Sequence, residues 1–218
     1  MGFDAKTQNQ AKGPAQKRSY LAAKRVMDFV GALIGGILLS PVLLIIALIV
    51  KLDSKGPVIF KHKRVGQFGE PIYIYKFRTM YENAQDMIKD FTPEQMEEWQ
   101  RNFKLENDPR ITRVGHFLRK SSLDELPQLL NILQGNLSIV GPRPVPQAEV
   151  DLYGENIEKV LSVKPGLTGY WQAYARSNCT YEIRRQMELD YADHANFWWD
   201  IKIIFKTVGS VLTAKGAK

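Results

Sequence analysis

The sequence predicts an α+β fold: a re-entrant membrane helical hairpin, a small β-hairpin, and amphipathic interfacial helices around a site on the cytoplasmic side. Three observations predict it. Residues 29–50 form a run of 22 residues without a charge, long enough for membrane insertion. Residues 58–65 and 72–78 are strand-like runs flanking the loop Gly66-Gln67-Phe68-Gly69-Glu70-Pro71, the pattern of a β-hairpin. Leu126, Leu129, Leu130 and Leu133 recur at i, i+3, i+4 and i+7, which is one face of a helix.

Residues 1–19 are polar and rich in Gln, Lys and Ala, and read as a disordered leader outside the fold. Residues 20–56 then read as the membrane hairpin and 57–218 as the main domain. Ser40-Pro41 sits at the middle of the apolar run, where a proline breaks or kinks a helix. Each arm would be roughly 15–18 Å long, about half of a ~30 Å hydrocarbon core. Both flanks are basic: Lys17, Arg18, Lys24 and Arg25 before, Lys51, Lys55, Lys61, Lys63 and Arg64 after. A span cannot keep both on the cytoplasmic side, whereas a hairpin that enters and returns can. A kinked span is the alternative. A signal peptide fits poorly, because the apolar stretch is too long and no small-residue cleavage site follows it.

The β-hairpin carries Lys61, Lys63, Arg64, Lys76 and Arg78, so it is either a solvated hairpin near lipid headgroups or a phosphate-binding edge. Residues 81–107 differ in composition. Seven acidic and three basic residues give them a charge of −4, leaving +11 on the rest of a chain whose net charge is +7. Two short amphipathic helices broken at Thr92-Pro93 fit this segment, with Met87, Phe91, Met96, Trp99 and Phe103 facing inward or toward a membrane. The basic balance elsewhere points to an anionic partner. Cys179 is the only cysteine, which excludes a disulfide framework and a cysteine-based metal site and suits a reducing compartment. His62, His116 and His194 have no ligand-like spacing.

The centre of the chain is Arg119-Lys120-Ser121-Ser122-Leu123-Asp124-Glu125-Leu126-Pro127-Gln128. Ser122 and Glu125 stand three apart, the spacing of a capping box, so a helix is expected to begin at Ser122 with Pro127 in its first turn. Asp124 and Glu125 then either cap that helix against its dipole or belong to an anion site at its N-terminus. Further on, Pro142, Pro144 and Pro146 fix the backbone around Arg143, and a guanidinium on a rigid loop suits bidentate recognition of phosphate. A rigid surface turn with an incidental arginine is the plainer reading. Lys164-Pro165-Gly166-Leu167-Thr168-Gly169 is a further turn, followed by Tyr170-Trp171-Gln172. From Tyr181 onward the chain reads as helical, and Trp198 and Trp199 with Lys202 and Lys206 fit either an interfacial or a buried helix.

Taken in order, Ser40-Pro41, Lys76-Phe77-Arg78-Thr79-Met80, Asn107-Asp108-Pro109-Arg110, Leu118-Arg119, Asp124-Glu125-Leu126-Pro127-Gln128, Gly141-Pro142-Arg143-Pro144, Pro165-Gly166-Leu167-Thr168-Gly169 and Asp200-Ile201-Lys202 resemble the bacterial sugar transferases. These are the monotopic phosphoglycosyl transferases that start exopolysaccharide and glycan assembly. The resemblance covers about residues 20–214 and is to the minimal catalytic form, without the extra N-terminal transmembrane bundle of longer members.

The resemblance implies transfer of a phospho-sugar from a UDP-sugar to polyprenyl phosphate with release of UMP, on the cytoplasmic face of the plasma membrane. It implies Asp124 as nucleophile through a covalent phosphosugar intermediate, with Glu125 as partner carboxylate and both as ligands of Mg²⁺. Arg119, Pro142, Arg143, Pro144, Lys76, Arg78 and Gln172 are the implied substrate-binding positions, and Ser40 and Pro41 the membrane break. Ala175-Arg176-Ser177-Asn178 departs from the Asn-Gly-Arg-Asn of diacetylbacillosamine-using members, which favours a plain hexose, galactose or glucose. The implied partners are UDP-sugar, polyprenyl phosphate and the lipid bilayer, with no nucleic acid; a homodimer is compatible. The competing reading is a non-catalytic membrane-anchored anion-binding scaffold of a glycan-assembly complex, which leaves the Asp124-Glu125 pair unexplained.

Overall fold

The computed structural model describes residues 16–102, 105–175 and 179–212. The predicted leader lies almost wholly outside these residues, and helix α1 has already begun at Arg18. The chain forms two compact units. One comprises Met1–Leu39, Lys61–Tyr75 and Gln128–Lys218, the other Ser40–Phe60 and Lys76–Pro127. The described residues form mixed helices and small sheets, as the α+β prediction requires.

Helix α1 runs from Arg18 to Asp53 with Pro41 inside it. The expected pair of short helices separated at Ser40 and Pro41 is therefore corrected: helical structure passes through both residues. A proline deletes one N–H bond and crowds the preceding turn, but good helix formers on both sides, Leu38 and Leu39 before and Leu43 and Leu44 after, carry the helix across. The helix is long and apolar enough to cross a membrane. Val26, Ile37, Leu38, Leu44, Ile45, Leu48 and Leu52 leave most of their surface exposed.

The β-hairpin forms close to its predicted limits, as β1 (Ile59–Val65) and β2 (Pro71–Phe77) joined through a 3₁₀ turn at Gln67–Gly69. In the first unit, β3 (Ser138–Val140) pairs in parallel with β4 (Gly166–Thr168), with Ser138 opposite Gly166 and Val140 opposite Thr168. This pairing joins two loops that the sequence shows only as separate turns. Gly141 N–H donates to Thr168 O at 2.9 Å, and Gly166 N–H to Pro142 O at 2.8 Å. The backbones pass so closely that a Cβ on Gly166 would lie 2.1 Å from the nitrogen of Gly141. Only glycine fits there.

Around this pair stand α4 (Gln128–Gln134), α5 (Ile157–Leu161), α6 (Tyr170–Tyr174), α7 (Tyr181–His194) and α8 (Phe197–Leu212). In α4 the buried residues are Gln128, Asn131 and Ile132; of the predicted leucine face, Leu126, Leu129 and Leu133 are half-buried against core residues, and Leu130 is corrected to an exposed position. The helix begins six residues later than expected. Asn131 also supplies what the β2 backbone lacks: its Nδ2 donates to Tyr73 O at 2.7 Å, and its Oδ1 accepts from Tyr75 N–H at 2.9 Å. A buried amide is tolerated when all its capacity is used this way. Helix α8 combines both expected readings, with Ile203 and Asp200 buried and Trp198, Phe205 and Val208 exposed.

In the second unit, Ile46, Val50, Phe77 and Leu118 form the core. The segment read as two short helices is a 3₁₀ turn, Asp86–Asp90, and α2, Pro93–Asn102. The capping box forms here. Thr92 Oγ1 accepts from Gln95 N–H, and Gln95 Oε1 accepts from Thr92 N–H at 3.0 Å. Helix α3, Arg113–Ser121, is capped by Thr112, whose hydroxyl accepts from Gly115 N–H at 2.9 Å. The Asn107–Arg110 turn is locked by a buried pair in which Arg110 donates to both oxygens of Asp108 at 2.8 and 2.7 Å.

Candidate active site

The Asp124-Glu125 pair does not open a long helix. Ser122 adopts a left-handed backbone, φ 57°, and its N–H closes α3 onto Arg119 O. It is a helix terminator, so it cannot be the extended N-cap of a capping box. Asp124 and Glu125 lie in the one-turn 3₁₀ segment Leu123–Glu125, between α3 and α4. The expectation that the dipole of a long helix supports them is therefore corrected. A left-handed serine costs about 1–2 kcal/mol, and such strain concentrates where a side chain must be aimed.

Four of the predicted site residues come together in the second unit. Asp124 is 8 % exposed, and its carboxylate takes no hydrogen bond from another side chain and no ion pair among the described residues. Burial pushes its carboxyl up to about 6; Lys76 pulls it down, Glu125 pushes it up, and Arg119 pulls it down. Lys76, near the end of β2, pairs with Glu125 at 2.5 Å, their side chains being 21 % and 36 % exposed. Arg119 is held by its Nε, which donates to Thr79 Oγ1 at 2.9 Å. Gly115 lets α3 approach this strand end, since a Cβ there would lie 2.1 Å from Thr79 O. The arrangement presents one buried, poorly solvated carboxylate flanked by two fixed cations, and so can present a negative oxygen to an anionic phosphate without full repulsion.

Arg78 does not join them. It is buried, and its Nη2 donates to Val50 O at 3.1 Å and to Ser54 O at 2.7 Å, tying down the C-terminus of α1. Its Nη2 has a structural role, because those carbonyls need a donor where the helix ends, while its Nε and Nη1 have no hydrogen-bond partner among the described residues.

Pro142, Arg143, Pro144 and Gln172 belong to the other unit. The loop buries Pro142 and Pro144. Its anchor was not visible in the sequence. Glu188 of α7, 1 % exposed, accepts from Arg143 N–H at 3.1 Å, from Trp171 Nε1 at 3.0 Å, and from the Tyr153 hydroxyl, with Arg184 Nε at 3.6 Å. The Arg143 side chain is half-buried and has no hydrogen bond or ion pair among the described residues. Gln172 Oε1 is buried without a hydrogen-bond donor among the described residues. Arg176, Ser177 and Asn178, from which a hexose was expected, lie outside the described residues.

A second unpredicted network lies in the same unit. Asp200 accepts from Tyr20 OH at 2.9 Å, Lys24 Nζ at 2.7 Å and Tyr191 OH at 2.7 Å. The sequence offered one signal, the Asp200-Ile201-Lys202 motif, but none that pairs Asp200 with a lysine 176 positions away.

Residues 19–214 match the family model described as bacterial sugar transferase. The chain belongs to that family. It is 44 % identical over 204 residues to the UDP-galactose-lipid carrier transferase of Erwinia amylovora, covering 92 % of this chain and 43 % of that protein. It is 42 % identical over 202 residues to the UDP-glucose:undecaprenyl-phosphate glucose-1-phosphate transferase of Escherichia coli, covering 89 % and 41 %. It is 41 % identical over 198 residues to the exopolysaccharide production protein ExoY of Rhizobium meliloti, covering 89 % and 88 %. This sugar transferase sequence thus spans less than half the length of the first two relatives and most of the third.

Proposed function

We propose that this chain transfers a phospho-sugar from a UDP-hexose, galactose or glucose, to polyprenyl phosphate, giving polyprenyl-diphosphate-sugar and UMP. The observation that carries this is Asp124: buried, free of side-chain hydrogen bonds among the described residues, and flanked by Lys76 and Arg119. The names of the galactose and glucose relatives supply the substrate class.

An Asp124 carboxylate oxygen attacks the phosphorus that bears the sugar, and the bond from that phosphorus to the UMP oxygen breaks. The sugar phosphate is then held on Asp124 as an acyl phosphate. A phosphate oxygen of the polyprenyl carrier attacks the same phosphorus, and the Asp124 carboxylate leaves. Lys76 and Arg119 offset the charge that would otherwise keep a carboxylate from a diphosphate. Glu125, held by Lys76, orients the pair.

Magnesium fits the donor set. Mg²⁺ is usually bound by one or two carboxylates together with substrate phosphates and water, and Asp124 and Glu125 are adjacent carboxylates with no cluster of three acidic or imidazole ligands among the described residues. These two residues would hold it. When bound it neutralises phosphate charge.

We place the chain in the plasma membrane with the continuous helix α1 bent at Pro41, so that it enters and returns on the cytoplasmic side. Supporting this are the basic flanks on both sides of the apolar run, Pro41 at its middle, and the exposed apolar side chains of α1 and α8. Cysteines introduced at Lys17 and Lys55 should react with a membrane-impermeant maleimide from the same side; labelling from opposite sides would make α1 a span.

The reaction is tested by UMP release from a panel of UDP-sugars with undecaprenyl phosphate and Mg²⁺, for wild type and Asp124→Asn. UMP from UDP-galactose or UDP-glucose, lost in the variant, is the expected result. Turnover retained by Asp124→Asn would remove the covalent step, and no UMP from any donor would favour the scaffold reading.

A further inference from the structure

The first unit contains a cavity of about 360 Å³ that shares no residue with the Asp124 site; Tyr20, Lys24, Arg25, Asp28, Gln67 and Lys164 supply its polar lining. Most of these groups are already engaged. Lys24 Nζ donates to Asp200 at 2.7 Å and to Val140 O at 2.8 Å. Asp28 accepts from Ser138 Oγ at 3.0 Å and from Ile139 N–H at 2.9 Å. Tyr20 OH is bound to Asp200 at 2.9 Å, and Gln67 Nε2 to Ser162 O at 3.0 Å.

Two cations are left with capacity. Arg25 donates to Ile132 O at 2.7 Å and Leu133 O at 2.9 Å, which uses two of the donors on its guanidinium. Lys164 is half-buried and has no hydrogen bond or ion pair among the described residues. Burial lowers its pKa, and Arg25 and Lys24 add to that effect while Asp28 opposes it. Lys24, Arg25 and Lys164 stand against two carboxylates, Asp200 bonded to Lys24 and Asp28 acting on Lys24 and Lys164, so one positive charge is uncompensated. A half-buried cation has lost part of its hydration, and an anion joining it offsets that loss.

We propose that this cavity binds the phosphate of a phosphate ester, with Lys164 Nζ and the remaining donors of Arg25 as its ligands. Leu21 and Phe68, both exposed, also line the cavity, so an apolar chain attached to the phosphate would find apolar surface beside it. Arg25 stands one turn before the uncharged run 29–50, at the level of α1 where headgroups would lie. The favoured source is therefore a phospholipid headgroup. That source rests on the membrane reading of α1, whereas the anion site does not.

The test is competitive acylation of lysines on the unmutated full chain in neutral detergent, read by mass spectrometry. Lys89, 80 % exposed, serves as internal reference. The probes are short-chain phosphatidic acid, inorganic phosphate, UMP and the neutral dihexanoylglycerol. Phosphatidic acid at about four times its Kd should slow Lys164 labelling about fivefold and leave Lys89 unchanged. Equal slowing by inorganic phosphate or UMP supports the anion site and assigns it a soluble ligand. No slowing by any phosphate probe, or equal slowing by dihexanoylglycerol, overturns the proposal. No sugar transfer is read, so the outcome is independent of the reaction proposed for Asp124.

Discussion

Two regions of this protein, around Asp200 and Glu188 in the first unit and around Asp124 in the second, bury carboxylates in opposite ways. In the first, Asp200 and Glu188 are 0 % and 1 % exposed and surrounded by donors: two phenols and a lysine for Asp200, an indole, a phenol, a backbone N–H and an arginine for Glu188. In the second, Asp124 is nearly as buried and receives no side-chain hydrogen bond. A carboxylate saturated with donors is pinned and its lone pairs are occupied, which makes it a structural anchor. A buried carboxylate held by nearby charge and a single backbone N–H keeps a free lone pair and a raised pKa, which is what a nucleophile needs. Burial alone does not separate the two roles; the donor count does.

The largest effect is expected from Asp124→Asn, which should reduce UMP release at least about 10³-fold while circular dichroism and membrane association stay unchanged. Retained turnover would place Asp124 with the structural carboxylates. Wild-type activity should also fall as pH drops through about 6, the value to which burial pushes this carboxyl, because the attacking form is the ionised one.

Next comes Asp200→Ala. It removes the acceptor of Lys24 and leaves a buried ammonium with only Val140 O and Tyr191 OH, so urea unfolding should show a loss of about 3–5 kcal/mol. A loss below about 1 kcal/mol would mean that Asp200 is no anchor.

Asp124→Asn should have the opposite effect on stability. The folded carboxyl holds its proton to about pH 6 against an ordinary 3.8, so the native state is favoured below the lower value and loses stability as pH rises through the upper one. Removing the ionisable group is expected to raise stability at pH 7.5 by on the order of 1–3 kcal/mol and to change little at pH 4. Thermal melts at the two pH values check this, and equal shifts at both would refute the sign.

The smallest effect is that of Lys76→Met. Lys76 is the strongest group lowering the Asp124 pKa, so its loss should move the acid limb of the pH–rate profile to higher pH with little change in melting temperature. An unmoved limb would remove Lys76 from the site.

Much of this was legible in the residues. Hydrophobic run length marked α1, and strand-like runs flanking a glycine-bearing loop marked β1 and β2. The motif order carried the family and pointed to Asp124. Local chemistry misled at Ser122, where serine and glutamate three apart match a capping box; the box formed at Thr92 and Gln95 instead. Both sites have the side chains for it, and the difference is backbone: Ser122 must close α3, which sends it left-handed.

The sequence by itself determined which segments are apolar, which loops are stiff, and which residue types could do phosphate chemistry, because these follow from composition and spacing along the chain. Tertiary structure alone decided that Arg78 ties down a helix end, that α1 passes through Pro41, that Glu188 holds the Arg143 loop, and that Lys24 meets Asp200. Those outcomes depend on which polar groups burial leaves short of a partner, and that is set only when distant segments pack.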